Sequence, residues 1–414
     1  MKRSRMVLTT IVLLVVTNLV TYTLATGVIP FVNVRWGAGI LNFGPARDAA
    51  KLQQEFELLT TRYVEPVDPK VLIEGALKGM AEAVGDPYTY YMNPQEYKSF
   101  DVTLEGEYGG VGMVVEQVGD YVTVITPLRG SPAERAGIQP RDRIVAVDGR
   151  DVTKVPSDIV ADLIRGKPGT KVTLTIARGP LEDEVRFDVP LVREKIVLES
   201  AFGKMLYPAE GIGYLRITDF SRNTPEQFGA ALADLRSQGL KALVLDLRNN
   251  GGGYLDECVN IANTFVTEGP ILHRVGRDGR MRAVEASGGE PLGLPLVVLV
   301  NELTASAAEI LAGAIQEHEA GRLVGTVTFG KGTVQTPYQL GDGSVLRLTT
   351  ERWLTPDGNQ ITGKGITPDE IVELPEIKPD DKPLTWSDPT DPRDTQLRRA
   401  VEILRAALTR QSEG

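Results

Sequence analysis

Apolar positions change period several times along the chain, and each change marks a different kind of element. In residues 47–63 and 69–84 they recur at helical spacing, Leu52, Phe56 and Leu59 among them, on either side of a Glu65-Pro66 break, and two amphipathic helices are expected. Between 102 and 192 the period drops to two. Residues 113–116 and 121–126 alternate around a Gly119-Asp120 turn, and residues 144–147 and 171–177 alternate again. Ser131-Pro132 opens a short helix that Gly137 closes, and residues 157–164 read as another. After 193, strand-like runs at 211–217, 240–247 and 296–300 alternate with helical stretches at 224–238, 254–265 and beyond 306, which points to an α/β core. Thr224 is expected to cap the first of these helices. Residues 379–392 are rich in proline and aspartate, and Leu397, Val401, Leu404 and Leu408 then predict a final amphipathic helix.

The chain thus divides into an apolar amino terminus (1–34), a helical region (46–100), a β-rich module (102–192), an α/β core (193–375) and a linker with a last helix (376–414). Its 414 residues suit two or three domains, and 42% hydrophobic with 24% charged residues is an ordinary globular balance. The net charge of −10, without a basic cluster, argues against nucleic acid as a partner and leaves polypeptides or small molecules. Lys2, Arg3 and Arg5 precede residues 6–25, which carry no charge; twenty helical residues reach about 30 Å, one hydrocarbon core. That pattern predicts a membrane anchor with its basic end in the cytoplasm, or a signal peptide cleaved after Thr23-Leu24-Ala25, the length of the run favouring the anchor. Either way the rest of the chain is expected beyond the membrane. Cys258 is the one cysteine, so no internal disulfide forms.

Candidate chemistry concentrates in residues 296–335. Ser306 sits where the 296–300 strand gives way to a helix, so the free N–H groups of the first turn can hold developing negative charge beside its hydroxyl. Ser306 and Glu309 also fit the S-x-x-E capping box, a purely structural role. A nucleophilic serine needs a base. His318 lies about three turns along the same helix and His273 in an unremarkable strand, so neither suits. Residues 322–329 are expected to form a strand running into Gly330-Lys331-Gly332, and an extended 333–335 would bring Lys331, Thr333 and Gln335 to one face. A desolvated lysine serves as a base once its pKa falls from ~10.4 toward ~7 to 8, a shift of roughly 4 kcal/mol, and a neutral amide such as Gln335 could orient it without holding it protonated.

T-A-S-A-A-E at 304–309 followed by F-G-K-G-x-x-Q at 329–335 resembles the carboxyl-terminal processing peptidases, the tail-specific S41 serine proteases. The resemblance implies Ser306 as nucleophile, Lys331 as general base and Gln335 as the residue that positions it, with no cofactor. L-R-N-N-G-G-G at 247–253 matches too and implies an oxyanion donor at Gly252, or Gly251, with the Ala307 N–H as the second. It further implies a core of the ClpP and crotonase type, and a homodimer through the terminal helices. S-P-A-E-R-A-G-I and D-R-I-V-A-V-D-G resemble a PDZ domain, which captures a peptide's carboxyl-terminal end by strand addition, here assigned to Gly110, Val111, Gly112, Met113 and Val114. Arg165 matches an arginine that signals peptide occupancy in some relatives. G-D-P-Y-T-Y-Y at 85–91 resembles the segment before that domain; by residue type alone it reads as core packing.

Two rivals remain at this level. G-T-V-T-F-G-K-G at 325–332 is one residue short of a phosphate-binding loop, but Gly332 replaces the metal-binding hydroxyl and the next segment looks extended. An inert PDZ scaffold is the other. No H-E-x-x-H or G-x-S-x-G occurs.

Overall fold

The computed structural model of the chain describes residues 44–376, 384 and 386–413. The apolar segment expected at 1–34 lies outside them; among the described residues no helix is long and apolar enough to cross a membrane. Two compact units divide between Met80 and Ala81. The first holds α1 (Gly44–Arg62) and most of α2 (Pro69–Glu82), with Leu52, Leu58 and Leu59 of α1 exposed.

In the second unit β1 (Tyr90–Met92) and α3 (Pro94–Glu105) lead to β2 (Glu107–Gly110). A β-domain follows: β3 (Met113–Val118), β4 (Tyr121–Pro127), α4 (Pro132–Arg135), β5 (Arg143–Val147), β6 (Arg150–Asp151), α5 (Ser157–Ile164), β7 (Lys171–Arg178) and β8 (Val185–Val192). Its strand order is β3-β4-β5-β7-β8, which leaves β3 at an edge. The period-two pattern turns Val122, Val124, Ile144, Leu174 and Ile176 inward against Val160 and Ile164 of α5. The chain leaves through β9 (Glu194–Val197), antiparallel to β2, so a two-stranded neck carries the domain. Arg193 pins that neck to α5 by donating to the carbonyls of Ile164 (2.7 Å) and Leu163 (2.9 Å).

The core comprises β10 (Ala201–Tyr207), β11 (Ile212–Ile217), α6 (Thr224–Ser237), β12 (Ala242–Asp246), α7 (Leu255–Ala262), β13 (Pro270–Gly276), β14 (Met281–Glu285), β15 (Leu296–Val300), α8 (Ala307–Glu317), β16 (Arg322–Gly325), β17 (Thr333–Gln339), β18 (Val345–Leu354), β19 (Glu370–Ile371) and α9 (Thr395–Glu413). One sheet runs β10-β11-β12-β15-β16-β19, parallel from β11 onward. Every residue of β11, β12 and β15 is buried because both faces are covered, which is why these strands read as unbroken apolar runs. Leu215, Leu245 and Val298 face α6, α7 and α8; Tyr214, Val244 and Leu299 face Leu397, Val401 and Leu404 of α9. A second sheet is ordered β1-β18-β13-β14, with β17 also on β18.

Two local expectations fail for physical reasons. Thr224 is the first residue of α6 and does not cap it: its hydroxyl accepts from the Ser221 N–H at 2.9 Å. The strand expected over 322–329 stops at Gly325, whose φ of 141° is open to glycine and where a Cβ would stand 1.9 Å from the Val300 carbonyl oxygen. The following residues form the loop that carries Lys331.

Candidate active site

β12 and β15 lie side by side with Asp246 opposite Leu299, so the loops at their carboxyl ends meet, the usual place for a site in an open parallel sheet. Side chains stitch the two loops together. Asn301 Nδ2 donates to Asn249 Oδ1 (2.7 Å) and Asn301 Oδ1 accepts from the Asn249 N–H (2.9 Å). Thr304 Oγ1 donates to the Leu247 carbonyl (2.9 Å), and the Ala305 N–H to that of Asn250 (2.9 Å). So held, the chain passes Ser306 at φ 57°, ψ −119°, a conformation costing a residue with a side chain about 1–3 kcal/mol. Gly252 makes room: a Cβ on it would stand 2.8 Å from that of Ser306.

Glu309, fully buried, does more than close a capping box. Its Oε2 accepts from the Ser306 N–H (2.8 Å) and the Lys331 N–H (2.9 Å), and its Oε1 from Thr328 Oγ1 (2.6 Å) and the Gly330 N–H (2.7 Å). One carboxylate therefore fixes the backbone of both Ser306 and Lys331. Trp353 Nε1 holds the Lys331 carbonyl at 2.9 Å from the other side.

The Lys331 amine makes no hydrogen bond or ion pair among the described residues; Nζ lies over the Tyr88 ring, 4.6 Å from its centre. Burial, then the charge of Arg347, push its pKa down to about 8, against the pull of Asp86 and Glu309. Gln335 Nε2 donates to Thr333 Oγ1 (2.9 Å) and Thr349 Oγ1 (3.2 Å), so the expected contact with Lys331 is not made in this structure. The Gly252 N–H is likewise engaged, by Asn250 Oδ1 at 2.8 Å. The N–H groups of Ala307, Gly251 and Gly253 have no acceptor among the described residues.

Ser306, Ala307, residues 251–253, Lys331 and Gln335 all line one cavity of 490 Å³. Helix α3 forms another wall with Tyr97, Phe100, Asp101 and Leu104, which share a face at spacings of three and four. Neither histidine is there: His318 Nε2 meets the Pro270 carbonyl and His273 Nε2 that of Pro356. Cys258 is buried beneath, its Sγ donating to the Ala307 carbonyl, and burial pushes its thiol pKa up.

A second cavity, of 290 Å³, opens between edge strand β3 and helix α5. Val111, Gly112 and Met113 line it, with Ala161 and Ile164 opposite; Gly110 and Val114 do not, because alternation turns Val114 to solvent and Gly110 packs on the Tyr108 ring. Gly112 has φ 74°, and Ser131 Oγ donates to its carbonyl at 2.8 Å, so the cap of α4 also pins the loop. Arg165 sits at the groove end, 5.4 Å over the Tyr108 ring and 3.4 Å from Asp162.

Residues 211–372 match peptidase family S41, residues 123–178 match a PDZ domain, and residues 41–96 match the activating protease CtpB N-terminal domain. The carboxy-terminal processing protease CtpA of Bacillus subtilis (strain 168) is 38% identical over 327 residues, 79% of this chain and 69% of that protein. The chain belongs to peptidase family S41. It is a serine peptidase of the carboxy-terminal processing kind with a PDZ domain. A probable CtpA-like serine protease of Staphylococcus aureus (strain N315) is 36% identical over 370 residues, 88% of this chain and 73% of its own. Among solved structures, the photosystem II D1 C-terminal processing protease is 32% identical and covers 79% of this chain and 88% of its own, at a TM-score of 0.46.

Sequence reading of this S41 peptidase missed the role of Glu309 as a four-donor hub, and it missed Tyr88, Arg347 and the α3 wall. The G-D-P-Y-T-Y-Y segment carried a signal, since aromatics next to a Gly-Asp-Pro turn need a partner. The partner, Lys331, lies too far along the sequence to be guessed. The phosphate-loop alternative falls because residues 333–339 form strand β17 where a helix would be required.

Proposed function

We propose that the peptidase works through a Ser306-Lys331 dyad. Neutral Lys331 takes the Ser306 proton as the hydroxyl attacks a peptide carbonyl, the Ala307 N–H and a glycine-loop N–H hold the oxyanion, and the resulting ammonium returns the proton to the leaving amine. Water then cleaves the acyl-enzyme with Lys331 as base again. Gly252 joins the oxyanion hole only if Asn250 releases it; Gly251 needs no such exchange. For the amine to act it must leave the Tyr88 ring, and Gln335 must turn from its threonines to hold it.

The observation that supports this reading is a half-buried lysine amine with a pKa of about 8 and no ion pair among the described residues, in one cavity with a backbone-strained serine. A base must be unprotonated, so kcat/KM should rise with pH through a limb near that value. On an unstructured peptide, Ser306→Ala and Lys331→Ala should each lower kcat by about 10³-fold or more. Retention of a tenth of wild-type turnover by Lys331→Ala would remove the lysine from the mechanism.

The PDZ groove takes the substrate's carboxyl-terminal end, with Arg165 placed to report occupancy. The basic residues before the uncharged 6–25 run support an anchored enzyme acting outside the cytoplasm, and carbonate extraction of membranes distinguishes an anchored from a released form. The exposed leucines of α1 support a homodimer, which sedimentation of the purified chain tests.

A further inference from the structure

Arg347 stands out on the wall of the catalytic cavity. It projects from β18 opposite Tyr90 of β1, and its Nη1 donates to the Tyr90 hydroxyl at 2.8 Å. The guanidinium carbon lies 5.0 Å from the centre of the Phe100 ring and 5.6 Å from that of Tyr90. No carboxylate pairs with it among the described residues. The other arginine of the cavity, Arg274, is neutralised by Glu351. A planar guanidinium that cannot lose its proton, caged by two rings and left without a counterion, is a permanent positive charge at a fixed place.

That charge and the amine of Lys331 line the same cavity. The groups around Lys331 are Tyr88 and Asp86 from the segment before β1, Glu309 from α8 and Arg347 from β18. Asp101 of α3 lines the same cavity. Tyr88 favours the ammonium through its ring face, and Asp86 and Glu309 favour it by charge. Only burial and Arg347 oppose them, and burial alone is incomplete because the site must open to a peptide.

We propose that Arg347 is a positioning residue for the peptidase reaction: its caged guanidinium sets a fixed positive charge against Lys331, favours the proton-accepting form of that amine, and thereby sets the pH at which the enzyme works. This rests on the reading of Lys331 as base. The Tyr90 hydroxyl and the rings of Tyr90 and Phe100 hold the guanidinium at one place on the cavity wall.

The test compares pH profiles of kcat/KM for the full chain, Arg347→Gln and Arg347→Lys on one neutral peptide. Removing the charge should move the acid limb up by about one pH unit, so that activity at pH 7 falls about tenfold, while Arg347→Lys should return the limb toward its original position. An unmoved limb in Arg347→Gln overturns the proposal even if the maximal rate drops, because a merely structural residue lowers rate without changing the limb. Failure of the lysine variant to restore the limb overturns it too. Should Arg347→Gln be too inactive to assay, the pH dependence of reductive methylation of Lys331 in Ser306→Ala and Ser306→Ala/Arg347→Gln reads the same shift without turnover, and equal profiles refute it. Activity in Lys331→Ala would instead fell the base assignment itself, whereas an inactive Lys331→Ala with an unmoved Arg347→Gln limb fells only this inference.

Discussion

At the scale of single residues, Glu309 carries the most structural consequence. Its two oxygens accept from four donors, three of them backbone N–H groups, and no water reaches the carboxyl. Glu309→Gln keeps the shape but points an amide N–H at donors, leaving at least one buried group unpaired at a cost of about 1–3 kcal/mol. We expect a lower melting temperature and, on the proposed Ser306-Lys331 dyad, a fall in kcat of about 10² because a small misplacement of either partner would spoil it. Thermal unfolding and kcat on a peptide check both; a variant with full activity would show that the clamp does not hold the site. The sequence exposes only the local quarter of this clamp. Glu309 stands three residues after Ser306 and invites the capping reading, whereas Thr328, Gly330 and Lys331 arrive from a loop whose path depends on Gly325. In the same way the motifs made Ser306 and Lys331 candidates, but the Tyr88 ring beneath the amine could not be read from them.

At the scale of elements, helix α9 shows how a distant segment supports the catalytic loops. Its apolar face was readable from the spacing of Leu397, Val401 and Leu404, and that face packs on the second side of the parallel sheet. The polar residue before it was not readable. Asp394 accepts from the Leu397 N–H (2.9 Å) and from both Nη atoms of Arg248 (2.8 and 3.0 Å). Arg248 is fully buried, also pairs with Asp246 at 2.7 Å, and begins the glycine loop that reaches Ser306. Burial alone would push the guanidinium pKa down, but the two aspartates win and hold it charged. Asp394→Ala removes one of two counterions from a buried charge, so a loss of about 3–5 kcal/mol is expected, seen in denaturant unfolding. Asp394→Asn, which retains an acceptor for Arg248 and the helix cap, should lose less. Equal stability of Asp394→Ala and wild type would mean that Asp246 alone satisfies Arg248.

At the scale of the whole molecule, the peptide groove and the catalytic cavity are separate sites joined by the neck of β2 and β9. Domain insertion was legible because the period of the apolar pattern changes at both boundaries; that the neck is tied to α5 by Arg193 was not, since a lone arginine after a strand reads as solvated. If the groove holds a substrate's tail, it raises the effective concentration of the preceding chain at Ser306 without taking part in the chemistry, a gain of about 10²-fold or more when the span fits. The ratio of kcat/KM for a long peptide with a free carboxyl terminus to that for the same peptide truncated short of the groove should then be well above one. Ala161 of α5 lines the groove opposite Met113, so Ala161→Trp fills the space where an added strand would lie on the β3 edge. In that variant the ratio should collapse toward one, driven by the long peptide alone. Amidating the carboxyl terminus should lower the wild-type ratio and leave that of Ala161→Trp where it is, because a blocked groove has no carboxylate left to lose. A ratio that survives both changes would place the tail receptor somewhere other than between β3 and α5.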